Sequence, residues 1–152
     1  MEGDQGGKGE PVKPAYVVDS SVFASIVVKD EFYRRALDFV RRFQGKVATV
    51  DLAVVEVANV LWKHVYLARR IREDAYAALK GAIKPLIYST ASVFRADELL
   101  EDALDSAVRL GITVYDSLYV TLALREGCKL ATFDEKLRAQ LAAKGLDVAV
   151  PP

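Results

Sequence analysis

Apolar positions along the chain fall into short runs separated by longer stretches of helical period. The run Ala15-Tyr-Val-Val-Asp19 is too short for a helix and apolar on both alternating faces, which predicts a buried strand. Helical period follows over residues 20–28 and 31–43, and residues 46–50 predict a second strand. A long apolar helix is expected over 52–68, a charged, alanine-rich one over 72–83, and a short strand-like piece at 86–89. The acidic amphipathic stretch 96–110 stops at Gly111, and Ile112-Thr-Val leads into a helix over 115–126 that stops at Gly127. Glycine is favoured there because a helix commonly ends on a left-handed residue. Residues 129–132 predict the next strand, 134–144 the last helix before Gly145, and 147–150 an edge strand ahead of Pro151-Pro152. Strands alternating with helices predict an α/β domain with a mainly parallel central sheet of about five strands. Ligands of such sheets gather at the carboxyl ends of the strands.

Residues 1–14 are rich in Gly, Pro and charge, and they are expected to form a mobile tail ahead of one folded domain spanning 15–152. A chain of 152 residues suits one domain with a real core. No apolar run approaches the roughly 20 residues of a membrane span, Cys128 has no partner for an internal disulfide, and no basic-then-apolar leader is visible. A cytoplasmic protein without membrane attachment is expected. Lys plus Arg equals Asp plus Glu at 21 each, which excludes a global positive field that tracks phosphates, so any nucleic-acid contact must be local. One Asn and three Gln beside abundant Glu, Lys and Arg match the balance found in proteins from hot environments.

Four acids stand where a core-forming pattern would not place them. Glu56 interrupts Leu52-Ala-Val-Val-Glu-Val-Ala-Asn-Val-Leu-Trp62, a helix apolar on nearly every face. Asp19 ends the first strand, Asp116 begins the helix Ser117-Leu-Tyr-Val-Thr-Leu-Ala-Leu124, and Asp134 follows the strand Leu130-Ala-Thr-Phe133. Each aspartate also suits a helix N-cap, and Thr132-Phe-Asp-Glu135 has capping-box spacing. Glu56 has no capping role, and its plainer alternative is a buried ion pair with an arginine. Carboxylates forced together repel, and a hard divalent cation, Mg²⁺ or Mn²⁺, relieves that repulsion. Such a site suits phosphodiester hydrolysis by a metal-activated water, and the ion supplies positive charge that the protein lacks.

The segments Tyr16-Val-Val-Asp-Ser-Ser21, Val54-Val-Glu-Val-Ala-Asn-Val-Leu61, Tyr115-Asp-Ser-Leu-Tyr-Val-Thr-Leu-Ala123 and Leu130-Ala-Thr-Phe-Asp-Glu-Lys-Leu137 together resemble the PIN-domain family. The resemblance spans residues 15–150 and is strongest to the VapC-type toxins of toxin-antitoxin modules. It implies a PIN-like three-layer sandwich and a Mg²⁺- or Mn²⁺-dependent endoribonuclease in which Asp19, Glu56, Asp116 and Asp134 hold the metal and orient the attacking water. Ser20 and Thr132 match positions whose hydroxyls support that site. The toxin group also implies a homodimer, an RNA substrate, and an antitoxin whose segment lies over the acids. A housekeeping RNA-processing PIN nuclease and a non-catalytic PIN-like binding module are the alternatives. Asp51 departs from the family pattern and is read as the N-cap of the long helix, not as a fifth ligand.

Other features carry less. Arg34, Arg35, Arg41 and Arg42, and then Arg69, Arg70 and Arg72, form basic patches able to grip phosphates but expected as solvated helix faces. His64 has no zinc-spaced partner, and Cys128 is expected in the core. Trp62 and Tyr66, one turn apart, suit either a partner groove or the domain's own core. Asp97, Glu98, Glu101, Asp102 and Asp105 are expected to be solvated. Phosphoryl-transfer folds fit worse: a haloacid-dehalogenase pattern wants an aspartate where Ser21 stands, and a receiver pattern wants a lysine near Thr132, whereas Lys84 comes too early.

Overall fold

The computed structural model describes residues 13–152, so all of the expected tail except Lys13 and Pro14 lies outside the described residues. Within them, β1 (Tyr16–Val18), β2 (Val47–Val50), β3 (Ser92–Phe94), β4 (Lys129–Ala131) and β5 (Ala149–Val150) form one sheet in the order β3-β2-β1-β4-β5. Every neighbouring pair is parallel, with Val17 opposite Ala48 on one side and Leu130 on the other. The helices are α1 (Ser20–Val28), α2 (Tyr33–Arg42), α3 (Leu52–Trp62), α4 (Glu73–Thr90), α5 (Ala96–Leu110), α6 (Val114–Glu126) and α7 (Glu135–Ala143). In this α/β/α sandwich α1, α3 and α4 pack on one another, while α5 pairs with α6, which lies along β1, β2 and β4.

Val17 and Val18 are wholly buried at the centre of the sheet, which is why β1 is apolar on both faces. Each such side chain contributes about 1.5–3 kcal/mol by leaving water. Among the described residues no single helix is long and apolar enough to cross a membrane. Gly111 and Gly127 end α5 and α6 at φ +70° and +65°, the left-handed stops expected of them.

Three local expectations are corrected. The helix expected over 72–83 and the strand-like piece at 86–89 are one helix, α4, which runs through Pro85 to Thr90. Proline removes a helical bond, but Ile83 and Ile87 sit one turn apart and are both buried, so packing on either side holds the helix together. The third strand is instead Ser92–Phe94, whose Ser92 pairs with Ala48. The helix expected over 52–68 is α at first and then widens into a π turn, Lys63–Leu67, where the Ala68 amide reaches back to the Lys63 carbonyl at 2.9 Å. Finally, Asp51 does not cap α3: its backbone is already helical, and its carboxylate accepts the Ala96 amide at 3.0 Å, capping α5 across the sheet edge.

Candidate active site

The chain leaves β1 toward β2 and β3 on one side, while β4 and β5 fill the other, so the sheet's direction of winding reverses between β1 and β4. Open α/β sheets form their ligand crevice at that point. Val18 and Ala131 are partners there, so the segments that follow them leave the sheet side by side. One carries Asp19, the other Thr132 and Asp134.

Asp19 is 6% exposed, and both its oxygens are engaged. Oδ1 accepts from the Ser21 amide at 3.1 Å and the Ser21 hydroxyl at 2.5 Å, and Oδ2 accepts from the Thr132 hydroxyl at 2.5 Å. Each hydroxyl passes the restraint on: the Phe133 amide donates to Ser21 Oγ and the Asp134 amide to Thr132 Oγ1, both at 3.0 Å. An Arg138 guanidinium N–H donates to the Thr132 carbonyl. The loops after β1 and β4 are thus tied through Asp19. Burial pushes its carboxyl up to about 6, the Ser21 and Thr132 hydrogen bonds pull the other way, and the Asp116 charge adds to the rise.

Glu56, half-buried on α3, accepts the Tyr119 hydroxyl at 2.5 Å. Tyr119 is 1% exposed; burial first, and then the Glu56 charge, hold its phenol far above the ordinary value, so it remains a neutral donor. Asp116 sits half-buried in the first turn of α6. Its carboxyl is raised by burial and then by the Asp134 and Glu56 charges. Asp134 is exposed ahead of α7 and accepts the Leu137 amide at 3.0 Å. The four acids therefore share one field. Among the described residues none of them makes an ion pair, and no three acidic, His or Cys side chains stand close enough to grip one ion unaided.

The capping expectation holds at Asp19 and Asp134, whose side chains cap α1 and α7 while standing just past the ends of β1 and β4. Asp116 is no cap, because Thr113 takes that position and accepts the Asp116 amide at 3.1 Å. Glu56 meets a tyrosine where an arginine was the alternative. Ser20 borders the cleft on which Glu56 opens. Sequence reasoning missed Ser21 and Tyr119; the latter lies one helical turn beyond Asp116, a spacing that was legible.

Elsewhere, His64 Nδ1 lies 3.0 Å from the Val60 carbonyl oxygen, a local contact within its own helix. Cys128 is only half-buried. Trp62 and Tyr66 stack at 5.6 Å and are 48% and 61% exposed, so they are surface rather than core. Of the basic residues, Arg35 is exposed as expected, and it lies over the stacked Phe32 and Phe133 rings and donates to the Pro152 carbonyl. Among the α5 acids, Asp97 pairs with Arg95 and Asp102 with Arg125 at the surface.

A parallel sheet with four acidic side chains in mutual electrostatic reach near its winding reversal defines an α/β protein with an acidic crevice at the carboxyl ends of its strands. Residues 16–140 match the PIN domain family. The chain is 39% identical over 129 residues to Ribonuclease VapC3 of Pyrobaculum aerophilum, covering 84% of this chain and 95% of that protein. The chain therefore belongs to the PIN-domain family, in its VapC-type branch. A second relative from that organism, Exonuclease VapC9, is 29% identical over 126 residues, covering 82% of this chain and 84% of that one. The crystal structure of PAE2754, also from P. aerophilum, superposes with a TM-score of 0.67 at 28% identity, covering 91% of this chain and 84% of that one.

Proposed function

We propose that the protein is a cytoplasmic, divalent-metal-dependent endoribonuclease, the toxin of a toxin-antitoxin pair. The observation that carries this reading is Asp19, a buried carboxylate with no cationic partner among the described residues, sharing a field with Asp116, and through it with Asp134 and Glu56. Hard, like-charged oxygens of this kind suit Mg²⁺ or Mn²⁺, and Mg²⁺ keeps several waters while taking only one or two carboxylates, so a crevice without three convergent ligands still fits it. Asp19, Glu56, Asp116 and Asp134 are the residues that would hold it, one or two of them directly and the others through its waters. When bound, the ion supplies positive charge for phosphate oxygens and lowers the pKa of a bound water.

The protein's own part is orientation. Ser21 and Thr132 fix both oxygens of Asp19, while Tyr119 engages Oε1 of Glu56 and leaves Oε2 to take a proton from the attacking water. An antitoxin segment with a basic side chain would meet the same acids and silence them. Leu100, Leu104 and Val108 expose an apolar stripe on α5 that supports homodimer formation, which sedimentation of the purified chain would test.

Cleavage is tested on single-stranded RNA labelled at either end, with Mg²⁺ or Mn²⁺, with and without chelator, in the native chain, Asp19→Asn and Glu56→Gln. Internal cuts that need metal and vanish in both variants are expected. Stepwise shortening from one end would replace the endonuclease reading with the exonuclease activity that names one relative. A folded protein that binds no divalent ion would overturn the reading itself.

A further inference from the structure

Beside the acids, a cleft of about 390 Å³ opens between α3 and the start of α6, with Ser20, Val55, Glu56, Asn59, Lys63 and Tyr115 on its walls. Val55, Asn59 and Lys63 recur every four residues and so form one ridge of α3, ending where the π turn begins. Opposite stands Tyr115, adjacent in sequence to Asp116. Tyr115 is 59% exposed and Val55 is 67% exposed, an uncovered pair at the mouth of a polar site. Among the described residues no carboxylate pairs with the Lys63 ammonium.

We propose that this cleft is a nucleotide subsite: it holds one unpaired RNA base next to the scissile bond, stacked on Tyr115, with the flanking phosphate on Lys63 and the base edge met by the Asn59 amide. The proposal rests on the ribonuclease reading and adds to it the residues that seat the substrate. Each wall group answers one part of a nucleotide: an aromatic face stacks a base, an amide hydrogen-bonds its edge, and an ammonium neutralises a phosphate. The volume is at the lower end for a small-ligand site, enough for one nucleoside. Because Glu56 and Ser20 share the same walls, an occupant is continuous with the reacting phosphate, which favours RNA over a separate protein segment. A chain with no net charge needs such a local cation to engage a polyanion.

The test is fluorescence anisotropy of a labelled six-nucleotide single-stranded RNA, with Ca²⁺ replacing Mg²⁺, against the native chain, Tyr115→Ala, Tyr115→Phe, Lys63→Gln and the distant control Lys144→Gln. Tyr115→Ala is expected to weaken binding about fivefold or more, with Tyr115→Phe near native because the ring remains. Lys63→Gln is expected to lower the slope of log affinity against log salt by about 0.7, one phosphate contact on a single strand, with no such change in Lys144→Gln. The same measurement on six-nucleotide homopolymers of A, C, G and U, with the native chain and Asn59→Ala, is expected to rank the four bases in the native chain and to lose that ranking in the variant. Binding indifferent to Tyr115 and Lys63 would overturn the subsite and leave the cleft to a protein partner. Equal loss in Tyr115→Phe and Tyr115→Ala would also overturn it, by assigning the effect to the hydroxyl. Cleavage scored separately with Mg²⁺ keeps the two ideas apart: cutting lost in Asp19→Asn upholds the nuclease however Tyr115 behaves, and RNA held through Tyr115 and Lys63 but never cut upholds the subsite alone.

Discussion

Replacing Asp19 by asparagine is expected to stabilise the metal-free protein. Burial raises the carboxyl from 3.8 to about 6, a shift of roughly two units, so ionising it inside the fold costs about 3 kcal/mol relative to the unfolded chain. Asparagine removes that charge and keeps an oxygen to accept from Ser21. It also sets an amide N–H against the Thr132 hydroxyl, which now donates to Asp19 while accepting the Asp134 amide, a loss of about 1 kcal/mol. The net gain at pH 8 is therefore about 1–2 kcal/mol. Because the folded-state value lies above the unfolded one, folding takes up a proton. The native residue's favourable contribution is full below 3.8 and is gone once the pH passes about 6. The asparagine advantage should accordingly fade at pH 5. Equilibrium unfolding in guanidinium chloride with chelator, at pH 8 and pH 5, measures both quantities. Adding Mg²⁺ or Mn²⁺ at pH 8 should then stabilise the native chain and leave Asp19→Asn unmoved. A variant less stable than the native chain at pH 8, or a gap identical at both pH values, would refute the account of Asp19 as a strained, cation-seeking charge.

Tyr119→Phe removes the donor to Glu56: stability is expected to fall by about 1 kcal/mol, because half-buried Glu56 can turn to water, and metal affinity ten- to a hundredfold, read by calorimetric titration. Unchanged affinity would remove Tyr119 from the support of the site. Asp51→Ala should cost about 1 kcal/mol by uncapping α5 at the Ala96 amide, with kcat/KM for RNA unaltered; a change in kcat/KM would place Asp51 among the functional acids. Mn²⁺ affinity should fall about tenfold per pH unit below 6, since Asp19 must lose its proton to bind, and a flat profile would show that Asp19 is not a ligand.

The sequence by itself determined the parallel α/β architecture, because strands buried on both faces must be apolar at every position, as Val17 and Val18 are. It also determined the helix stops, because Gly111 and Gly127 occupy backbone conformations that disfavour a side chain. Asp19 and Glu56 stood out in the sequence because a charge set in an apolar element needs a hydrogen bond or a counter-charge to offset its burial, and the hydroxyls of Ser21, Thr132 and Tyr119 supply those hydrogen bonds. Only the tertiary structure decided what depends on contacts distant in the chain. Local propensity breaks a helix at Pro85, but the burial of Ile83 and Ile87 carries α4 across it. Asp51 adjoins α3 in sequence yet caps α5, because pairing of β2 with β3 brings Ala96 to it. The Tyr119 hydroxyl finds Glu56 across 63 positions, and that of Thr132 finds Asp19 across 113. A hydrogen bond is specified by where two groups end up in space, and for groups so far apart in the chain only the assembled sheet and its flanking helices fix that.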